Sequence, residues 1–435
     1  MRSILFIAAI LIGCANSIYA SVSFSGSTQQ VIEVTPEKST GLDKIYVAHS
    51  LNGVTIDYTS ETGSNAVKWY SYQEKGGGYA EAINNIVYDG TISHLQNPQG
   101  DCGYIIEDGS KRCYFWLVNY ENYIFNIGSI SFPEEQDCGI AILNVDANCE
   151  PIKYYTINGV PKKLSRDIEV SYSTLEWNAE SNYYQSKEVL TKVDNLDAKT
   201  TIEAPLCNTA FTVKGDKFQT VWGEERTYTS DLYTTKTIDA RATATQTERD
   251  NDNEKNTDGE SLGGSAPAEI EFASVCTDAV MHKEWLFAHD AGFKNIYLRL
   301  NEETTSYTFQ EEGEFFVKFI ASNEDASCQY ESEVFTISIG ESMLECPNAF
   351  SPDATEGIND YWKVSYKSII SFECWIFDRY GNKIISFKDP AQGWDGKHKG
   401  KFVKSGVYFY VIEAKGADGK EYKLKGDINI LKSSK

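Results

Sequence analysis

The chain has 435 residues, enough for three or four domains, and its formal net charge of −23 excludes nucleic acid as a natural partner, because neutralising phosphates needs a basic face. Aromatics make up 13% of the residues, with 27 Tyr against 3 Met, which is the profile of many short strands. The charge is uneven: from Glu345 onward 15 Lys and Arg face 12 Asp and Glu, so this stretch carries +3 and the remainder −26.

Residues 1–20 read as an export signal, with Arg2, an apolar run over 4–12 and a small-residue exit ending at Ala20. Leu11, Ile12, Gly13 and Cys14 also fit a lipoprotein box with Cys14 as the acylated residue; cleavage after Ala20 is the favoured reading. No other stretch approaches the ~18 apolar residues of a membrane helix, so no transmembrane segment is expected in the mature chain.

Residues 21–131 form a first β-sandwich in this reading, with strands over 29–35, 44–49, 54–58, 66–72 and 113–125. Asn52-Gly53 is its sharpest turn signal. Gly76, Gly77 and Gly78 lack a following Lys-Ser/Thr and so make a loop, not a phosphate cradle. The aromatic run from Cys113 to Phe125 is read as sandwich core rather than as a sugar-stacking face. Residues 132–247 form a second, immunoglobulin-like sandwich, with turns at Asn158-Gly159 and Lys214-Gly215-Asp216.

Residues 248–268, ERDNDNEKNTDGESLGGSAPA, break the pattern. They contain no aromatic, one Leu and a crowd of Asp, Glu, Asn and Gly. The composition predicts an exposed acidic linker and the first site of protease attack.

Residues 269–340 carry Trp285-Leu286-Phe287 and the segment YTFQEEGEFFVKFIASN (307–323). This resembles a PKD-type (polycystic-kidney-disease repeat) domain, which implies an immunoglobulin-like spacer with Phe315, Val317 and Phe319 on one face and Gly313 at a strand corner. Phe315 and Phe316 stand where that family often has Tyr.

Residues 341–435 are the densest in motifs: CPNAFSPDATEGIND (346–360), FECWIFDRYGNKI (372–384), GWDGK (393–397), SGVYFYVI (405–412) and KGDINILK (425–432). Phe372, Cys374 and Ile376 alternate with Glu373, Trp375 and Phe377 along one strand. Val407, Phe409 and Val411 alternate with Tyr408, Tyr410 and Ile412, too apolar on both faces for a wet edge, which suggests a central strand of a sandwich. Arg379 to Asn382 supply a turn in which Gly381 is expected to take a positive φ. Five blocks in this order resemble the type B sorting domain of the type IX secretion system, also called the gliding-motility-associated C-terminal domain. The residues that carry the resemblance are Pro347, Asn348, Phe350, Asn359, Asp360, Arg379, Gly381, Trp394, Asp395, Gly396, Gly406, Tyr408 and Gly426. It implies export across the outer membrane of a Gram-negative bacterium to the cell surface or the medium. It also implies the type IX secretion machinery and a PorP/SprF-type outer-membrane protein as partners. In that family the loop at 351–360 suggests calcium, with Asp353, Glu356, Asn359 and Asp360 as weak candidate ligands here; a hydrogen-bonded turn without metal is the favoured reading.

Without Cys14 there are nine cysteines and no C-x-x-C pair, so disulfides are expected in an oxidising compartment and a zinc site is not. Candidate pairs are Cys102 with Cys113, Cys138 with Cys149, Cys276 with Cys328 and Cys346 with Cys374, with Cys374 equally readable as a buried thiol and Cys207 left odd; connectivity is not derivable from sequence. The five His form no H-E-x-x-H, and no G-x-S-x-G elbow occurs. The expectation is an all-β, non-catalytic surface protein of about four tandem immunoglobulin-like β-sandwiches, the last a sorting domain, acting as a structural or attachment/secretion-machinery component and needing no cofactor. Two alternatives stay open: an adhesin binding host protein or glycan through the N-terminal sandwiches, and a surface hydrolase with an unrecognised site.

Overall fold

The computed structural model of the protein describes residues 21–431 apart from 62, 64–65, 250, 256–260, 353 and 355–356. The export signal, Cys14, Asp353 and Glu356 therefore lie outside the described residues. The rest is all-β as expected, with one six-residue α-helix, Lys217–Trp222, among the described residues. It divides into two compact units, residues 1–174 with 186–234, and residues 175–185 with 235–435.

The first unit holds two sandwiches that share a core. A six-stranded sheet runs in the order Ile32–Val34, Lys44–Ala48, Lys111–Asn119, Cys102–Asp108, Val67–Tyr72 and Glu81–Ile83. One of its faces packs through Tyr46, Trp69, Tyr104, Phe115 and Leu117 on a four-stranded sheet ordered Ser21–Ser25, Thr55–Thr59, Ile92–Gln96 and Val87–Asp89. Its other face buries Ile45, Val47, Trp116 and Val118 against Ile152, Leu164, Phe218 and Trp222 of the second sandwich. A sheet covered on both faces needs strands apolar on both faces. That is why the run Phe115-Trp116-Leu117-Val118 is continuous: alternate residues serve different cores. No independent unit therefore ends at residue 131.

The same junction contains a charge pair that the sequence did not announce. Arg166 and Asp216 are both fully buried and meet at 2.8 Å. The Tyr120 hydroxyl donates to Asp216 at 3.0 Å, and the second Asp216 oxygen accepts the amides of Phe218 and Gln219, capping the helix. Arg166 also donates to the carbonyls of Glu150 and Tyr123. A buried ion pair tolerates its desolvation when its remaining donors and acceptors are filled in this way.

In the second unit, Ala240–Gln246, Ala268–Cys276 and Thr304–Phe309 make one sheet of the third sandwich. The other is ordered Leu262–Gly264, Phe335–Ile339, Gly313–Ser322, His282–Ala288 and Ile296–Leu300. Phe315, Val317 and Phe319 face its core beside Phe272 and Trp285, and Gly313 has φ +140°. This corrects two boundaries. Ala240–Gln246 pairs with Ala268–Cys276, so it opens the third sandwich and does not close the second. Leu262–Gly264 pairs in parallel with Phe335–Ile339, so the expected linker contributes a strand.

The C-terminal domain is a five-stranded sheet, ordered Ala349–Phe350, Glu421–Ile430, Gly406–Gly416, Ile369–Phe377 and Lys383–Phe387. The short pairs Met343–Glu345 with Ser365–Lys367 and Lys397–His398 with Lys401–Phe402 accompany it. Its core holds Phe350, Trp362, Tyr366, Cys374, Ile376, Trp394, Tyr408, Ile412 and Ile428.

Candidate functional site

Of the motif residues of the C-terminal domain, Phe350, Trp394, Gly396 and Tyr408 are buried, while Pro347, Asn348, Asn359, Arg379, Gly381 and Gly406 are exposed. Trp362 and Trp394 are fully buried, and their backbones pair across an isolated antiparallel bridge. This brings the 346–360 loop against the Gly393–Lys397 loop. Trp394 packs on Phe350 at 5.4 Å and Tyr408 at 5.3 Å, while Trp362 lies 5.2 Å from Tyr410. Each buried indole N–H is satisfied, from Trp362 to the Pro347 carbonyl at 2.6 Å and from Trp394 to the Lys397 carbonyl at 3.0 Å. The Asn348 carbonyl accepts from the Asn429 amide, and that of Phe350 from Leu431, which closes the sheet edge in parallel. Tyr408 donates to the Lys404 carbonyl. Gly426 lets Tyr410 lie across the neighbouring strand, since a Cβ there would sit 2.6 Å from its hydroxyl.

Two turn glycines differ in what they require. Gly396 has φ +72°, and a Cβ would lie 2.7 Å from Pro352, so both backbone and space demand glycine. Gly381 has the expected positive φ, +83°, but a Cβ there meets nothing within 4 Å. Its turn is tied by Asp378, which accepts from the amides of Tyr380 and Asn382 and from the Asn382 side chain. Those bonds, from Asn382 first, hold the exposed Asp378 carboxyl below its ordinary pKa. Arg379 lies over the ring of Tyr380, which is 74% exposed. Gly406, at φ +144°, opens the central strand.

The proposed calcium loop is a hydrogen-bonded turn in its described part. The Asn359 carbonyl accepts from the Ser351 amide at 3.0 Å, and Asp360 accepts from the Gly357 amide at 2.7 Å. Asp360 and Asp395 share a pocket of about 320 Å³ with Pro352, Tyr361, Lys397 and Phe402, where the Lys397 ammonium takes Asp395 at 3.1 Å. Among the described residues no group of three or more His, Cys, Asp or Glu is placed to hold a metal ion.

The cysteine pairs differ from expectation. Cys102 sits opposite Leu117 and Cys113 opposite Ile106 in the ladder, four positions apart, beyond the reach of a disulfide, and both are thiols. Cys138 and Cys149 flank opposite ends of the nine-residue strand Ile140–Asn148, about 30 Å of extended chain. Cys138 and Cys328 are each disulfide-bonded, but Cys149 and Cys276 are thiols, so neither expected pair forms. Cys149 donates instead to the Asn195 side chain. Cys346 and Cys374 are thiols in the C-terminal core, where burial pushes Cys374 up to about 12. Cys207 donates to the Ser173 carbonyl.

Sequence reasoning missed two features. One is a strap. Residues 251–255, inside the expected linker, lie along Tyr366 of the C-terminal domain, with a parallel bridge from Glu254. The Lys255 amide donates to the Tyr366 carbonyl at 2.6 Å, and the Tyr366 amide donates to the Asn253 carbonyl at 3.1 Å. Asn253 donates its side-chain N–H groups to the carbonyls of Val364 and Pro390, both at 2.8 Å. Ser265 accepts from the Ser368 amide, whose hydroxyl donates to the Gly340 carbonyl. The other is an open face. The central strand Gly406–Gly416 buries Tyr408 and Ile412 as predicted, but Val407, Phe409 and Val411 remain 43%, 44% and 39% exposed.

The fold and the C-terminal geometry define an all-β chain of immunoglobulin-like modules ending in a closed aromatic-core sandwich. Residues 344–430 match the family model of the CHU_C type IX secretion signal domain. Residues 130–230 match a fibronectin type III domain model (Fn3_FA), within the region read as the second immunoglobulin-like sandwich. Among solved structures, the chain is similar to the three N-terminal domains of the bacteriophage RB49 highly immunogenic outer capsid protein Hoc. That match has 10% identity and a TM-score of 0.22, over 71% of this chain and all of that one. It is also similar to dimeric latent PorU from Porphyromonas gingivalis, at 10% identity and TM-score 0.16, over 74% of this chain and 35% of that one. No curated protein matches the chain. The secretion signal domain implies export through the type IX machinery, to the cell surface or beyond it. No helix among the described residues is long and apolar enough to cross a membrane.

Proposed function

We propose that the chain is a non-catalytic surface protein, held after export by its C-terminal domain docking on an outer-membrane protein of the PorP/SprF type. The preceding sandwiches then serve as a structural or attachment arm. The observation that carries this reading is the match of residues 344–430, in which the motif residues Phe350, Trp394 and Tyr408 pack in one core. A non-catalytic role is supported by the pairing of four of the five histidines, the fifth, His282, being exposed. His49 faces Glu224, His94 faces Asp57, His398 bonds the Ile384 carbonyl and His289 stacks on Tyr297. In a cell with a type IX system, the full chain should reach the surface, while a chain ending at Ile339 should stay in the periplasm. Equal export of both would overturn the sorting role. Deletion of the gene separates the rival readings. Loss of adherence alone identifies an adhesin, loss of many other surface cargos identifies machinery, and loss of a glycan- or peptide-degrading activity identifies a hydrolase.

A further inference from the structure

We infer that the open face of the C-terminal sheet is the surface by which this domain docks, and that its occupant is a protein patch with an apolar centre and an acidic edge. The inference rests on the sorting role proposed above. In the antiparallel ladder Trp375 lies opposite Val411, and Phe377 opposite Phe409. Directly opposed residues share a face, so these four, with Val407, form one strip across two strands. On the adjoining strand the strip meets Lys425 beside Val411 and Asp427 beside Phe409. Lys383 sits opposite Phe377 on the other side, and Arg379 extends from the turn that follows. At the Phe377–Phe409 end of the strip the nearby cations Lys383, Arg379 and Lys425 thus outnumber the carboxylate Asp427, which already accepts from the Asn429 side chain. Along the strands the strip ends at the row Glu373, Glu413 and Lys423.

Single exposed apolar residues are ordinary; a contiguous aromatic and β-branched strip on a flat sheet marks an interface. A basic rim in a chain whose other residues carry −26 selects an acidic counterpart. Of the motif residues, Phe350, Trp394 and Tyr408 lie within the core, out of a partner's reach. The signal is therefore presented by this strip and by the exposed tip at Arg379, Tyr380 and Gly381. A lipid surface suits the geometry less well. Val407 and Val411 lie flat on the pleat, and the row Glu373, Glu413 and Lys423 stands on the same face, so burying the strip in an acyl layer would drag these charges with it.

The test uses the full chain in a type IX-competent cell, with Phe409→Gln plus Val411→Thr in one variant and Lys383→Glu plus Lys425→Glu in another. Both pairs are surface positions, and unchanged thermal melts of the purified proteins verify folding. The apolar variant should fall at least tenfold in surface amount and accumulate in the periplasm, and the charge variant should fall severalfold. Normal export of folded variants, with retention of the chain ending at Ile339, overturns the docking face and leaves the sorting role standing. Export of that truncated chain overturns both. If purified wild-type chain co-sediments with vesicles of anionic phospholipid and the apolar variant does not, the occupant is a membrane and the proposal fails. If wild-type chain dimerises at micromolar concentration through Phe409 and Val411, the occupant is a second copy and it also fails.

Discussion

Residues 344–430 and residues 248–268 lie in the same compact unit, and their compositions point opposite ways. The first is full of aromatics and turn glycines; the second has one Leu and no aromatic. The first folds by burial, with five rings (Phe350, Trp362, Trp394, Tyr408 and Tyr410) packed in one core region. In the second, residues 251–255 are held by hydrogen bonds to a neighbour, and 262–264 by strand pairing. The comparison teaches that composition reports what a segment can bury for itself. It is silent on what another element's unpaired carbonyls can hold.

The sharpest way to break this comparison is to attack both regions by a single truncation each. Trp394→Ala removes a fully buried ring that packs on Phe350 and Tyr408 and satisfies the Lys397 carbonyl. It should cost about 3–5 kcal/mol, read as a fall in the unfolding midpoint of the second unit. A loss below about 1 kcal/mol would mean that the aromatic core does not hold the domain. The strap should respond less. Asn253→Ala strands the carbonyls of Val364 and Pro390, at about 1–3 kcal/mol for the pair. It should also speed hydrogen exchange at Lys255 and Tyr366, whose amides the strap protects. Fast exchange at both amides in the wild type, or first protease cuts at 251–255, would restore the linker reading.

Much of the fold was legible because turn chemistry and alternation are local. The positive φ of Gly381 follows from its turn, while the inward set Phe315, Val317 and Phe319 and the sorting domain rest on resemblance to families. What was not legible depends on a second element. The run from Phe115 to Val118 looked like one core because no periodicity tells which sheet faces which side. Arg166 and Asp216 are 50 positions apart, and each alone reads as a surface charge. The cysteine pairs failed through register, since Cys102 and Cys113 flank a plausible turn but sit four ladder positions apart. The apolar strand Gly406–Gly416 is central in its sheet as read, but its sequence does not tell that one side is left exposed.

The smallest expected effect separates the exposed tip from the core it extends. Asp378 has its carboxyl held below the ordinary value, first by the Asn382 side chain and amide, then by the Tyr380 amide. The sign follows from linkage. A group whose folded pKa is depressed stabilises its turn above its unfolded value, near 4, and that contribution is lost as pH falls through the folded value. The turn at Arg379–Asn382 should therefore be unchanged from neutral pH to about pH 5 and loosen only in stronger acid. Amide resonances of Gly381 and Asn382 followed by NMR against pH would show it. Asp378→Ala should give the loosened turn at neutral pH with little change in the melting temperature, since the group is exposed and its energy is screened by water. If the Trp362 and Trp394 indole signals moved together with Gly381 in that titration, the tip and the core would unfold as one, and the division between a buried motif and the surface it presents would be lost.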